Sequence, residues 1–436
     1  MSVWLVSVLM FGSMITFLTT GFPVAFSLFT IGTIFTLLLW GPSALPMLGS
    51  ALLAQTTTIV MVAVPMFVFM GAMLERSGLA EELFTTMHRW FGSISGGMAI
   101  GTVGICTMFA AMTGISATAC VTMGLIALPA MLKRRYDKGI AIGCIAAGSS
   151  LGILIPPSIP FVLYAQVSGE SAGKLLMSGF LPGLILSAMF MIYIGVRAYL
   201  NPALGPPLSP EERVGWRVKF SSLRYVILPI ILVLVVLGVI FTGVATPTEA
   251  SAVGAFGTII CAAILRRLKW QTIKESCYET MRITVMVMWI AVSAYAFSSV
   301  YQALGAVQAI QSAVQALPVN RWVILAGMQI ILLILGCLMD PISILYITGP
   351  VMIPLTKVLG FNPIWFGTLF VINMEIGFLT PPFGMNLFYL RAITPKEITQ
   401  GDIYRAVVPF IVLMIIGLII MMIFPDISLY LPSKME

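Results

Sequence analysis

The stretch GILIPPSIPFVLYA, Gly152–Ala165, is apolar enough to lie in a membrane, yet two adjacent prolines, Pro156 and Pro157, stand at its centre. A second stretch, GFLTPPFGMNLFYL, Gly377–Leu390, repeats the design around Pro381 and Pro382. A proline inside a helix removes a backbone donor, collides with the preceding turn and pushes the residue before it toward an extended conformation. Two in succession unwind a turn. Backbone freed in this way is too costly to face lipid, and it survives only where protein or a water-filled cavity satisfies it. A chain that breaks two spans like this is expected to enclose polar backbone at membrane depth.

The composition fits that reading. Of 436 residues, 59% are hydrophobic and 9% charged, against roughly 25% charged in a soluble domain, and the mean hydropathy is +1.06. Apolar runs of span length recur from end to end. Val226–Ile240 and Ala406–Phe424 lack the alternation of a barrel strand, so an all-α polytopic membrane protein in a lipid bilayer is expected. Val3–Leu18 has no basic segment before it and no small-residue cleavage site after it, and reads as a retained span. The net charge is +7, but the positive residues sit in short connections. They are a topology signal, and no nucleic-acid partner is expected. Six cysteines without a CxxC pair and a single histidine, His88, make a transition-metal site improbable. No Walker A motif is present, so ATP is not the direct energy source.

The two proline stretches belong to a longer repeat. Gly152 matches Gly377, Leu154 matches Leu379, Pro156-Pro157 match Pro381-Pro382 and Tyr164 matches Tyr389, every pair separated by one constant offset. The same offset joins Gly124 to Gly349, Pro129 to Pro354 and Gly32-Thr33-Ile34 to Gly257-Thr258-Ile259. With a one-residue adjustment, Pro23 and Ser27 match Pro247 and Ser251. So long a shared register indicates two repeats, 1–200 and 224–436, joined by a Pro-rich charged linker at 201–223.

Positive charge indicates that the repeats are inverted, because cytoplasmic connections carry the Lys and Arg. Residues 41–50 have none, while 266–275 have Arg266, Arg267, Lys269 and Lys274. Residues 76–92 have Arg76 and Arg89, and 301–317 have none. Residues 133–138 have Lys133, Arg134, Arg135 and Lys138, while 358–363 have none, with Lys357 at the edge. Residues 166–180 have Lys174 alone, against Arg391, Lys396 and Arg405 in 391–405. The expected first repeat has spans near 3–19, 23–40 and 51–75, a re-entrant hairpin at about 93–131, a broken helix at 139–165 and a span at 176–199. The second has spans near 225–241, 247–265 and 277–299, a hairpin at 320–357, a broken helix at 363–390 and a span at 406–424. Each repeat then makes about five crossings. The linker is cytoplasmic and both termini are periplasmic.

Interrupted helices at matching places in two inverted halves point to a transport site at the membrane midplane. Half-helix N-termini there offer partial positive charge to an anion, and unwound carbonyls coordinate a cation. The expected hairpin tips, Met112–Thr118 and Met339–Ser343, carry hydroxyls, bare backbone and one carboxylate, hard oxygen ligands suited to sodium. Candidate residues are Ser116 and Thr118 at the first tip and Asp340 and Ser343 at the second. Ser150, Pro156, Pro157 and Ser158 mark the first break. Glu375, Thr380, Pro381, Pro382 and Asn386 mark the second. Asp340 stands out, since an acid at membrane depth is expensive and functional by default. Glu375 is either a second site acid or a structural one. Thr246-Pro247-Thr248-Glu249 reads as a helix-start cap.

Two catalytic look-alikes fail on chemistry. Gly114-Ile115-Ser116-Ala117 fits the start of an intramembrane serine protease motif, but the one histidine lies in a charged segment. Tyr136-Asp137 is similar to part of an intramembrane aspartyl protease motif, but it lies in a basic connection without a GxGD partner. No enzymatic activity is expected.

Taken together, GILIPPSIPFVLYA, GFLTPPFGMNLFYL, GVATPTEASAVGA (Gly243–Ala255) and VPMFVFMGAMLERSG (Val64–Gly78) resemble the large membrane (M, DctM-like) subunit of tripartite ATP-independent periplasmic (TRAP) transporters, over almost the whole length. The resemblance implies an elevator-type secondary transporter in the bacterial inner membrane. It would be driven by a sodium gradient and need no other cofactor. A periplasmic substrate-binding protein would deliver a small organic acid (a C4-dicarboxylate, sialic acid, or another sugar or keto acid), and a small membrane (Q) subunit would support the scaffold. No Q-like extension precedes the first repeat, so a separate Q protein is expected. Carried over by position, the implied site comprises Ser116, Thr118, the Ser150–Ser158 segment, Asp340 with Ser343, and the Glu375–Asn386 segment. The alternative is a stand-alone sodium/anion symporter of similar fold that works without a binding protein.

Overall fold

In the computed structural model, which describes residues 2–316 and 318–435, the chain is built from α-helices and short 3-10 turns, with no strand among the described residues. The first half contains α1 (Val3–Thr19), α2 (Val24–Trp40), α3 (Leu45–Thr56), α4 (Ala63–Arg76), α5 (Leu79–Phe91), α6 (Gly97–Thr113), α7 (Ser116–Lys133), α8 (Lys138–Ser150), α9 (Ile159–Ser168) and α10 (Ala172–Leu200). A short α11 (Trp216–Ser222) follows. The second half contains α12 (Arg224–Phe241), α13 (Pro247–Ile264), α14 (Trp270–Ala303), α15 (Ala306–Gln315), α16 (Arg321–Gly336), α17 (Pro341–Val358), α18 (Pro363–Leu379), α19 (Met385–Ile393), α20 (Gln400–Ile423) and α21 (Pro425–Leu429). Seven helices among the described residues are long and apolar enough to cross a membrane.

Local chemistry explains many boundaries. Asp137 accepts the Ile140 N–H at 3.1 Å and starts α8; at the equivalent place in the second half Asn362 accepts the Ile364 N–H at 2.8 Å and starts α18. Thr246 and Glu249 form the expected capping box at α13: the Thr246 N–H donates to the Glu249 carboxylate at 2.8 Å, and the Glu249 N–H donates to the Thr246 hydroxyl at 3.3 Å. A helix pair stands in each segment where a hairpin is expected. Gly114 and Ile115 alone join α6 to α7, and residues 337–340 join α16 to α17; the members of each pair pack on one another. The two broken helices fill the interior. Every residue from Ile140 to Ser150 in α8, and from Trp365 to Leu379 in α18, is buried. A helix apolar on all sides needs such a place. By contrast α1, α2, α12 and α13 keep large apolar residues such as Trp4, Leu38, Leu234 and Phe256 exposed, as a lipid-facing surface requires.

Three segments differ from expectation. The span expected at 51–75 is interrupted: α3 stops at Thr56, and a 3-10 turn at Ile59–Val62 precedes α4. The hydroxyls of Thr56, Thr57 and Thr58 bond back to the carbonyls of Leu52, Leu53 and Ala54 at 2.8–3.0 Å, and three consecutive β-branched residues weaken the helix there. Residues 79–91 and 306–315, expected within connections, form the amphipathic helices α5 and α15. The linker is docked. Gly96 N–H donates to Gly205 at 2.8 Å, Leu208 N–H to Gly92 at 2.7 Å and Asp137 N–H to Leu204 at 3.0 Å, while Arg134 grips Glu212 with both guanidinium branches.

Candidate functional site

Four helix starts meet at one cavity of about 400 Å³. The first-hairpin tip contributes Ile115, Ser116 and Thr118 at the start of α7. The first break contributes Ile159 and Pro160 at the start of α9. The second tip contributes Asp340 and Ile342 at the start of α17, and the second break contributes Met385 and Asn386 at the start of α19. No side chain caps α7, α9 or α19. Only α17 is capped: Asp340 Oδ1 accepts the N–H groups of Ile342 and Ser343, both at 3.0 Å, and Oδ2 accepts the Ser343 hydroxyl. Three open helix N-termini, each with unsatisfied N–H groups and partial positive charge, therefore face a fourth that already holds a carboxylate.

Asn386 ties the site together. Its Oδ1 accepts the Ser116 hydroxyl at 2.8 Å, and its Nδ2 donates to the Ala146 carbonyl at 3.2 Å and the Ser149 hydroxyl at 3.3 Å. One amide from the second half thus holds both the first hairpin tip and the first broken helix. Cys120 Sγ adds a weak contact to the Asn386 carbonyl at 3.5 Å.

Of the residues singled out in the sequence, Ser116, Thr118, Asp340 and Asn386 line the cavity. The others stand behind it. Ser150 donates to Ala147 at 2.8 Å, and Ser158 donates to the carbonyl of Ile153, satisfying backbone that the break releases. Pro156 and Pro157 are buried, whereas Pro381 and Pro382 are exposed; both Pro-Pro bonds are cis. Ser343 is buried against Asp340. Thr380 donates to Ile376 at 2.7 Å. Glu375 is fully buried, and neither of its carboxylate oxygens has a partner among the described residues.

The sequence reading missed the opposite wall. Glu279, Ile283, Met286, Val287 and Ile290 of α14 close the cavity, and Tyr389 and Phe378 complete it. Glu279 sits at that wall in a two-pronged contact with Arg76, 2.7 Å from Nη2, while Glu275 takes Nη1 at 2.7 Å. The signal available was modest: an acid a few turns inside a long, largely apolar helix.

Four helix starts, from two hairpin tips and two broken helices, around a small cavity inside a bundle of apolar spans define a multi-span membrane transporter fold. Two solved transporters share it. The Alcanivorax borkumensis YdaH transporter superposes with a TM-score of 0.58 over 94% of this chain and 96% of its own, at 15% identity. Neisseria gonorrhoeae MtrF gives 0.63 over 90% and 85%, at 13% identity. The particular family is set by sequence: the tripartite ATP-independent periplasmic transporter DctM component matches residues 11–427, and the chain belongs to that family. The C4-dicarboxylate TRAP transporter large permease protein DctM of Pseudomonas aeruginosa is 34% identical over 91% of this chain and 92% of its own. The isethionate TRAP transporter permease protein DctMQ of Oleidesulfovibrio alaskensis is 30% identical over 97% of this chain and 65% of its own. The sialic acid TRAP transporter large permease protein SiaM of Vibrio cholerae is 28% identical over 95% and 96%. These relatives are named as permeases, a non-enzymatic role, and the chain is a multi-span transport protein of this family.

Proposed function

We propose that the chain carries a small organic acid inward across the bacterial inner membrane in symport with sodium. In this reading a periplasmic binding protein delivers the substrate and a small membrane (Q) subunit completes the permease. The observation that carries the proposal is the convergence of three uncapped helix starts on one cavity with Asp340. A carboxylate docks on the open N–H groups of α7 and α19 and on the Thr118 hydroxyl. Hydroxyls, carbonyls and the Asp340 carboxylate are the hard oxygen donors that suit sodium. Substrate and sodium cross together with the moving part of the protein, and each net positive charge carried inward gains ~2.3 kcal/mol per 100 mV of inside-negative potential. The two halves, 1–200 and 224–436, act as inverted repeats in an elevator-type movement, with both termini periplasmic. The recurrence of helix starts at Ser116 and Pro341, and at Lys138 and Pro363, supports the repeat. The pairing of basic connections with ones of little or no positive charge supports the inversion. The DctMQ name of one relative supports a Q partner.

The test is uptake of C4-dicarboxylates, sialic acid and other sugar or keto acids into proteoliposomes under an inward sodium gradient. Accumulation is expected only when sodium, the small subunit and the binding protein are all present. Accumulation with sodium alone would establish the stand-alone symporter instead, and accumulation without sodium would remove the coupling.

A further inference from the structure

A second and larger cavity, about 530 Å³, lies behind the first. The two share a pair of helices. On α14 the site cavity is lined between Glu279 and Ile290, and the larger one by Tyr295, Ser298 and Gln302. On α17 the first is lined by Pro341 and Ile342, the second from Tyr346 to Lys357. With a rise of ~1.5 Å per residue, Ile290 and Tyr295 lie only about 7 Å apart along the helix. The cavities are therefore back to back across a thin layer.

That layer is closed by a triangle of hydrogen bonds. Gln55 Nε2 donates to the Tyr346 hydroxyl at 2.8 Å and to Gln166 Oε1 at 3.1 Å, and the Tyr346 hydroxyl donates to Gln166 Oε1 at 2.7 Å. The three residues come from α3, α17 and α9, and Gln55 and Tyr346 are buried. Beside them α14 presents the buried residues Ala291, Val292 and Ala294.

The larger cavity has its own donor set. Lys357 pairs with Glu170 at 3.0 Å, and its side chain is half exposed. Gln302 Nε2 gives one N–H to Ser298 at 3.0 Å and keeps a second free, and Gln166 Nε2 has only a long contact of 3.4 Å to Thr58. The end of α14 that bears Glu279 follows the basic connection with Arg266, Arg267 and Lys269, so Tyr295–Gln302 belongs to the opposite, periplasmic side.

We propose that this cavity is a second carboxylate site, in which the anionic substrate is held on the periplasmic side of the closed Gln55–Tyr346–Gln166 layer. The inference rests on the organic-acid transport reading above. Lys357 and the free amide N–H groups of Gln302 and Gln166 are the ligands. Glu170 already presents a carboxylate to Lys357, so an arriving carboxylate replaces it in kind.

The test needs no knowledge of the substrate. Ser298→Cys is introduced into the permease co-expressed with its small subunit. Right-side-out vesicles are treated with 2-sulfonatoethyl or 2-(trimethylammonio)ethyl methanethiosulfonate, with the parent protein as background. After correction for intrinsic reactivity, the sulfonate is expected to react faster by about tenfold, and adding Lys357→Gln should abolish the preference. No labelling from outside, a preference for the cation, or a preference unaffected by Lys357→Gln would each overturn the proposal. Gln302→Cys serves as the second probe if Ser298→Cys does not assemble. Anion preference without uptake of any organic acid would instead defeat the transport reading, whereas uptake without anion preference would defeat this inference alone.

Discussion

The two proline breaks are the same device used differently. The first, Leu154–Ser158, is buried throughout, and it serves as a seat for the first hairpin. Gly114, with φ +64°, lies directly on the Pro157 carbonyl, and a Cβ at Gly152 would stand 3.0 Å from the Ile115–Ser116 backbone. The second break exposes Pro381 and Pro382, and its hairpin touches it earlier, where a Cβ on Gly377 would stand 2.7 Å from the Gly336 backbone. The halves also differ in their polar side chains: the first lines the cavity with the hydroxyls of Ser116 and Thr118, the second with Asp340 and Asn386. In the repeat register Asn386 stands where the first half has the buried Phe161, and Asp340 stands where it has Ile115. The first half thus supplies two open helix ends and two hydroxyls, while the second supplies one open end, the amide that bridges and the carboxylate that caps. Four helix starts give the cavity its walls, and the side chains beside them give it chemistry.

The seat is the most sensitive part of the comparison. Gly114→Val forces a β-branched residue into a left-handed conformation against Pro157, at a cost of ~3 kcal/mol or more. Folded protein recovered in detergent should fall sharply, while Gly152→Ala, whose contact is looser, should give a milder loss of thermal stability. A well-folded Gly114→Val variant would mean that the first break is no seat.

Copying the first half into the second tests the division of labour. Asn386→Phe leaves Ser116 and Ser149 without their partner, at ~1–3 kcal/mol for each buried group. Uptake should fall by roughly 100-fold. Retained uptake would show that the bridge is dispensable.

At Asp340 two substitutions separate cap from charge. Asp340→Asn preserves the α17 cap and should leave thermal stability within about 0.5 kcal/mol while weakening sodium dependence. Asp340→Ala removes both, costing about 1 kcal/mol of helix stability in addition. Unchanged sodium dependence in both variants would take Asp340 out of the cation site.

The smallest effect concerns α5, where His88 takes the place that Ala313 holds in α15. Burial, then the Arg134 guanidinium, holds the imidazole below its usual 6.5. The folded state therefore binds fewer protons than the unfolded one, so this contribution to stability is complete above pH 6.5 and is lost as pH falls below it. Thermal unfolding between pH 7.5 and 5.5 should show a decline that His88→Gln reduces. An identical decline in both would exclude the histidine.

Much of the architecture was legible in the chain because it rests on local chemistry. Proline pairs stop helices wherever they occur, Asp137, Asn362 and Thr246 cap the residues that follow them, and glycine at position 114 permits a tight connection. The proline pairs marked the two helix breaks, and charge placement marked the segments where the helix pairs α6–α7 and α16–α17 stand. The interruption after Thr56 was missed because span-length hydropathy hides a three-threonine break, and the same property hid α5 and α15 within expected connections. Which candidates face the cavity was not legible at all. Four of the named residues reach it, while Ser150, Ser158, Ser343 and Glu375 are buried elsewhere. Helices as uniformly apolar as α8 and α18 carry no amphipathic stripe to fix their rotation, so packing against α6, α7, α16, α17 and α20 decides which side looks inward. The α14 wall with Glu279, and the second cavity behind it, likewise exist only once distant parts of the chain are brought together. By itself the sequence determined the two proline breaks, because proline stops a helix locally; the tertiary structure alone decided which side chains those breaks present to a solute.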